Sequence, residues 1–164
     1  MFDLIRKLGH RDHDAGQATE REQTAGQAKD GSQIRLLAIT QNANDWKSLH
    51  VTSKDQGWLL FWAHSGDAAL AMLSRHAIPI VICDRDLPGH DWKTMLKRIS
   101  LAQPTSILLA SNVSDEYLWR EVVQHEGYDV LPKPFQPERL VRMVTAAWAW
   151  RDWRGDSQAH REGR

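Results

Sequence analysis

IPIVICDRDLPG, Ile78–Gly89, is the stretch on which the reading of this chain turns. From Ile78 to Cys83 it is almost wholly apolar, and a short apolar run bounded by turn residues marks a strand covered on both faces. The run delivers a carboxylate, Asp84, to the strand's end, and Leu87-Pro88-Gly89 makes the turn that follows. An exposed carboxylate in that place suits nucleophilic attack on phosphorus, and it suits a plain loop cap equally well.

Working outward, short apolar runs alternate with helical patterns. Upstream, Ile34–Ile39 (IRLLAI) reads as a first strand ending at Thr40-Gln41, followed by a helix within Asn44–Ser53. Trp58–Ala63 reads as a second strand, and Ser65 as the cap of a helix burying Ala68, Leu70, Ala71 and Leu73. Downstream, Asp91 caps a helix carrying Met95, Leu96 and Ile99, and Ile107–Ala110 forms a fourth strand reaching Ser111. Ser114 caps a helix with Leu118, Val122 and Val123 inward, stopped by Gly127, and Tyr128–Leu131 is the fifth strand. Pro137 opens a last helix whose stripe is Leu140, Val141, Val144, Ala147 and Trp148. Five strands alternating with five helices imply an α/β fold with a parallel sheet. Ligands in such sheets lie beyond the strands' carboxyl ends, at Thr40, Gln41, Asp84, Asp86, Ser111 and Lys133.

The foldable core spans residues 33–153; residues 1–32 and 154–164 are too polar to offset their ordering entropy and read as disordered. An amphipathic start, Phe2–Leu8, lacks the apolar length of a signal peptide. With 21 basic and 21 acidic residues the net charge is zero, which argues against nucleic acid or an anionic membrane as partner. One cysteine, Cys83, excludes an internal disulfide and a multi-thiolate zinc site, and the histidines have no metal spacing. A soluble, cytoplasmic protein is expected.

VICDRDLPG, ILLAS and GYDVLPKPF, in this order and spacing, resemble the response-regulator receiver domain, the flavodoxin-like phosphoacceptor module of two-component signalling. The resemblance covers about Ile34 to Trp150. It implies a doubly wound (βα)5 fold with sheet order 2-1-3-4-5 and a bacterial phosphorelay role. It also implies Asp84 as phosphoacceptor, Ser111 as switch hydroxyl, Lys133 as phosphate-pairing lysine, and Lys133-Pro134 as a place for a cis peptide. The phosphoryl donor would be a sensor histidine kinase or phosphotransfer protein. The protein would be no enzyme beyond its own phosphorylation and dephosphorylation.

The chain departs from that pattern where the family places an acidic pair for Mg²⁺: Thr40 and Gln41 stand there. Asp84 and Asp86 are left as carboxylates for the metal, so Mg²⁺ affinity is expected to be poor. Val130 replaces the usual aromatic of the switch, and bulky Trp92 follows the turn after the third strand. Trp58 and Trp62 read as core, while Trp119, Trp150 and Trp153 read as a surface for an unknown protein target or for homodimer formation through the last two helices. The polar stretch after Trp153 is expected to hold no output domain, so a single-domain receiver would signal by protein contacts. The alternative is a phosphorylation-independent pseudo-receiver acting as a constitutive interaction module. A flavin carrier is disfavoured, because TQNAND (residues 40–45) offers no glycine-rich phosphate loop.

Overall fold

The computed structural model describes residues 33–162, with side chains from 33 to 151. The expected disordered lead, including Phe2–Leu8, lies outside the described residues. In chain order the elements are β1 (Arg35–Ile39), α1 (Ala43–Gln56), β2 (Leu59–Ala63), α2 (Gly66–Arg75), β3 (Ile80–Asp84), α3 (Trp92–Ala102), β4 (Ser106–Ser111), α4 (Glu116–Gln124), β5 (Asp129–Pro132) and α5 (Pro137–Glu162). The strands form one parallel sheet in the order β2-β1-β3-β4-β5, the doubly wound arrangement expected.

Side chains alternate across each strand, and the alternation sorts the core into two layers. Leu36, Ala38, Ile80, Ile82, Leu108 and Ala110 face Leu49 of α1 and Leu140, Val144 and Ala147 of α5. Leu37, Ile39, Val81, Cys83, Ile107 and Leu109 face α2, α3 and α4 through residues such as Leu73, Leu96 and Val122. Each fully buried leucine or isoleucine contributes about 1.5–3 kcal/mol, so the central strands β1, β3 and β4 anchor the domain.

The helix ends follow local chemistry. Asn42 caps α1 by accepting from the amides of Asn44 and Asp45, and Gly57, at φ +69°, closes the helix in the left-handed conformation that glycine tolerates. Ser65 and Asp91 cap α2 and α3 as expected, and Pro137 opens α5. The cap of α4 is Asp115, not Ser114: its Oδ1 accepts from the Leu118 amide at 2.8 Å, where a carboxylate also meets the positive helix end.

Several burial expectations are corrected. On α2 Leu73 is buried as expected, with Gly66 and Ala69 beside it; Ala68 and Leu70 are half-buried against the same core, and Ala71 is exposed. On α4 the i,i+4 pair Leu118 and Val122 seals the core, which turns Val123 outward. Val141 and Trp148 of α5 are half-buried. Trp58 and Trp62 are half-buried rather than core, because β2 is an edge strand. Gly127 does not stop α4, which ends at Gln124 with Glu126 at φ +71°. The glycine is required by space: a Cβ there would lie 2.2 Å from Val122 Cγ1. Finally, α5 continues to Glu162, past the boundary at Arg154, because propagating a formed helix through residues without proline costs little.

Candidate functional site

Parallel register brings the carboxyl ends of β1, β3, β4 and β5 to one rim of the sheet, where Asp84 pairs opposite Ala110 and Ser111 opposite Pro132. Asp84 ends β3 and is 8% exposed. Its Oδ1 accepts the Asp86 amide at 3.1 Å, and its Oδ2 accepts the Thr40 hydroxyl at 3.3 Å. Lys133 Nζ lies 2.9 Å from the same Oδ2. Lys133 leaves β5 at a cis Lys133-Pro134 bond, and its amide donates to the Ser111 carbonyl at 2.9 Å, which ties the lysine's backbone to the end of β4.

Ser111 is 1% exposed, and its Oγ accepts the Val113 amide at 3.0 Å. The hydroxyl proton is thus not used in that turn. The Asp86 side chain is exposed, and Asp86 takes part through its backbone amide. Gln41 turns away, donating from Nε2 to the His64 carbonyl at 3.0 Å. The structure therefore gathers Asp84, Lys133 and Thr40 in direct contact, seats Ser111 on the neighbouring strand, and leaves the side chains of Asp86 and Gln41 outside.

One residue at the site escaped the sequence reading. Asp45, in the first turn of α1, is 7% exposed, and its Oδ2 lies 2.6 Å from Lys133 Nζ. The lysine thus bridges two carboxylates. Burial alone lowers an ammonium's pKa, but Asp45 and Asp84 outweigh it here and hold Lys133 above its ordinary value. A signal for Asp45 did exist: Asn42-Ala43-Asn44-Asp45 has a cap residue followed three positions later by an acid.

Cys83, immediately before Asp84, points into the core. Burial first, and the Asp84 charge second, push its thiol up to about 12, so it is inert at neutral pH. Val130 is buried in the layer under α4. At the other side of the rim, Trp62 donates from Nε1 to the Thr40 carbonyl at 3.0 Å and stacks on Trp46 with centroids 4.3 Å apart. Trp92, opening α3, meets His125, the residue that caps the end of α4, edge-on at 5.8 Å, and Lys93 pairs with Glu121 beside it, so α3 and α4 are joined twice.

The oxygens available to a divalent cation are few. Thr40 is hydrogen-bonded to Asp84 and to the Asn42 amide, and both Asp45 and Asp84 are engaged by Lys133. Among the described residues no group of three His, Cys, Asp or Glu side chains is arranged to hold a metal ion.

Trp119 and Trp150, on α4 and α5, are 45% and 43% exposed. With Val123 and Tyr128 they line a groove of about 540 Å³ at the opposite, amino-terminal ends of β4 and β5. Trp153 falls within α5, beyond the described side chains. No helix among the described residues is long and apolar enough to cross a membrane.

Comparison with known proteins agrees with this geometry. The response regulator receiver domain model matches residues 37–145. Over 102 residues the chain is 29% identical to the C4-dicarboxylate transport transcriptional regulatory protein DctD of Rhizobium meliloti, covering 62% of this chain and 22% of that protein. It thus spans about a fifth of that relative's length. A putative response regulator from Chloroflexus aurantiacus superimposes with a TM-score of 0.66 at 28% identity, covering 71% of this chain and 98% of that one. The receiver domain of the Saccharomyces cerevisiae response regulator Ssk1 does so at 0.64 and 17% identity, over 70% and 88% of the two chains, a likeness of fold. A sheet in the order β2-β1-β3-β4-β5, a carboxylate ending β3 and a lysine just after β5 meet in one family, and the chain belongs to it: it is a response regulator receiver domain of the two-component type.

Proposed function

We propose that this receiver accepts a phosphoryl group on Asp84. The observation that carries the reading is the Asp84 carboxylate at the end of β3 with Lys133 Nζ at 2.9 Å. The donor is a phosphohistidine of a sensor kinase or phosphotransfer protein; Ssk1's receiver is known in complex with the histidine phosphotransfer protein Ypd1. An Asp84 oxygen forms the new bond to phosphorus, the phosphorus–nitrogen bond breaks, and its electron pair returns to the imidazole, which takes a proton from solvent. Lys133 supplies a positive charge and Ser111 a hydroxyl donor for the phosphoryl oxygens. Output passes through protein contacts at the face bearing Trp119 and Trp150, including homodimer formation through α4 and α5, within the cytoplasm.

A second reading is favoured by one observation: Lys133 is already bridged to Asp45 and Asp84. In that case the chain is a pseudo-receiver, a constitutive interaction module in which the ion pairs are purely structural. Intact-mass measurement after incubation with acetyl phosphate, with Asp84→Asn as control and a conventional receiver in parallel, separates the two. Gain of one phosphoryl group in the wild type alone supports the switch. No gain, while the parallel receiver is labelled, overturns it in favour of the constitutive module.

A further inference from the structure

A divalent cation in an oxygen cage sits about 2.0–2.6 Å from its ligands and takes six or more of them, preferably anionic. At this rim the first strand contributes a threonine whose hydroxyl is hydrogen-bonded on both sides and a glutamine turned toward His64. Between the two carboxylates that remain stands an ammonium, 2.6 Å from one and 2.9 Å from the other. We propose that the Lys133 ammonium takes the place of the divalent cation in this site, and that Asp45 is the positioning residue that keeps it there. The proposal rests on reading the Asp84 rim as the functional site; whether Asp84 is phosphorylated is a separate question.

The backbone of α1 explains why Asp45 is free for this task. An acid three residues after a helix cap ordinarily reaches back to the cap's own amide. Here the Asn42 amide is already taken by the Thr40 hydroxyl at 3.0 Å. The Asn42 side chain in turn fixes the Asp45 amide at 3.1 Å, so the first turn is held from both ends. The Asp45 carboxylate therefore points at the lysine instead of folding back, while the positive end of α1 favours its charge. Thr40, in a position where the resemblance calls for an acid, performs the substitution: it removes one carboxylate from the rim and releases another one from capping. The remaining charges are two carboxylates and one ammonium, which leave less negative charge to offset than three carboxylates and a lysine.

If the ammonium stands in for a cation, removing it should leave the two carboxylates open to one, and that gives the test. Mg²⁺ and Ca²⁺ are titrated into the full chain, followed by calorimetry and by thermal shift. For the wild type the expected result is no saturable binding up to about 10 mM, above the range of weak oxygen-ligand sites. In Lys133→Met the two carboxylates lose their cation, and saturable Ca²⁺ binding with a rise in Tm is expected; adding Asp45→Asn should abolish it. Saturable Mg²⁺ binding by the wild type that disappears in Asp45→Asn would make Asp45 a metal ligand and overturn the proposal. So would a Lys133→Met protein of native circular dichroism that takes up no cation. If Lys133→Met does not fold, the wild-type titration decides alone. Absence of acyl phosphate in the mass assay would tell against phosphorylation of Asp84 while leaving these titrations unaffected.

Discussion

Asp45→Asn is the sharpest perturbation of this site, because it removes a charge and leaves the shape. The variant keeps an amide-bearing side chain of nearly equal volume at the third residue of α1, and Lys133 keeps Asp84 at 2.9 Å. What it loses is a charge-assisted contact at 2.6 Å between side chains 8% and 10% exposed. Such a contact is worth about 1.5–3 kcal/mol, and the interaction of the acid with the helix end adds about 0.3–1 kcal/mol. A loss of about 2 kcal/mol is expected, which in a domain of this size lowers Tm by about 6–10 °C. An acid that merely decorated an exposed helix end would account for only about 0.5 kcal/mol, and that smaller cost would shrink further in salt. The assay is urea unfolding of both proteins, repeated in 0.5 M NaCl and across pH. Lys133 has a folded pKa raised above its unfolded value, so its contribution is fully present below about 10.4 and is lost as pH rises through the folded pKa. The gap between wild type and variant should therefore be flat through neutral pH, survive salt, and narrow in alkali. A gap below about 0.7 kcal/mol, or one erased by salt, would refute the argument that Asp45 works as a buried partner of Lys133.

Three further outcomes follow from the packing. Cys83, with its thiol at about 12, should alkylate with iodoacetamide at pH 8 about a thousandfold more slowly in the native protein than in urea; near-equal rates would show that β3 is not closed. Gly127→Ala places a methyl 2.2 Å from Val122 Cγ1 and 2.9 Å from the Val122 carbonyl, so thermal unfolding should report a loss of about 1–3 kcal/mol. Glu126→Gly relieves a left-handed residue at φ +71° and should stabilise by about 1 kcal/mol, measured by the same unfolding curves.

Where the sequence was legible, one physical cause acted alone. The run Ile80–Cys83 is apolar at every position because both faces of β3 are covered, and such a run has one stable place in an α/β sheet. Capping by Ser65 and Asp91 was equally plain, since each is followed at the right distance by the amide it accepts. The misreadings arise where two causes compete. Ser114 and Asp115 are both good caps, and the choice depends on where Leu118 and Val122 must point to meet the sheet. Trp62 has a core residue's composition but sits on an edge strand, so it is half-buried and stacks on Trp46 instead of being enclosed.

Asp45 was missed for a related reason. Strand-end reasoning finds residues that the sheet itself carries to the rim, and Asp84, Ser111 and Lys133 are of that kind. A helix residue reaches the rim only if the helix entry angle and the capping pattern aim it there. That information is held jointly by Thr40, Asn42 and Asp45, in two hydrogen bonds that no single position announces. Read together, Thr40 and Asp45 form one arrangement: the hydroxyl after β1 occupies the Asn42 amide, and the carboxylate of α1 meets Lys133. A receiver rim thus retains a lysine paired to two carboxylates where the usual acidic pair is missing.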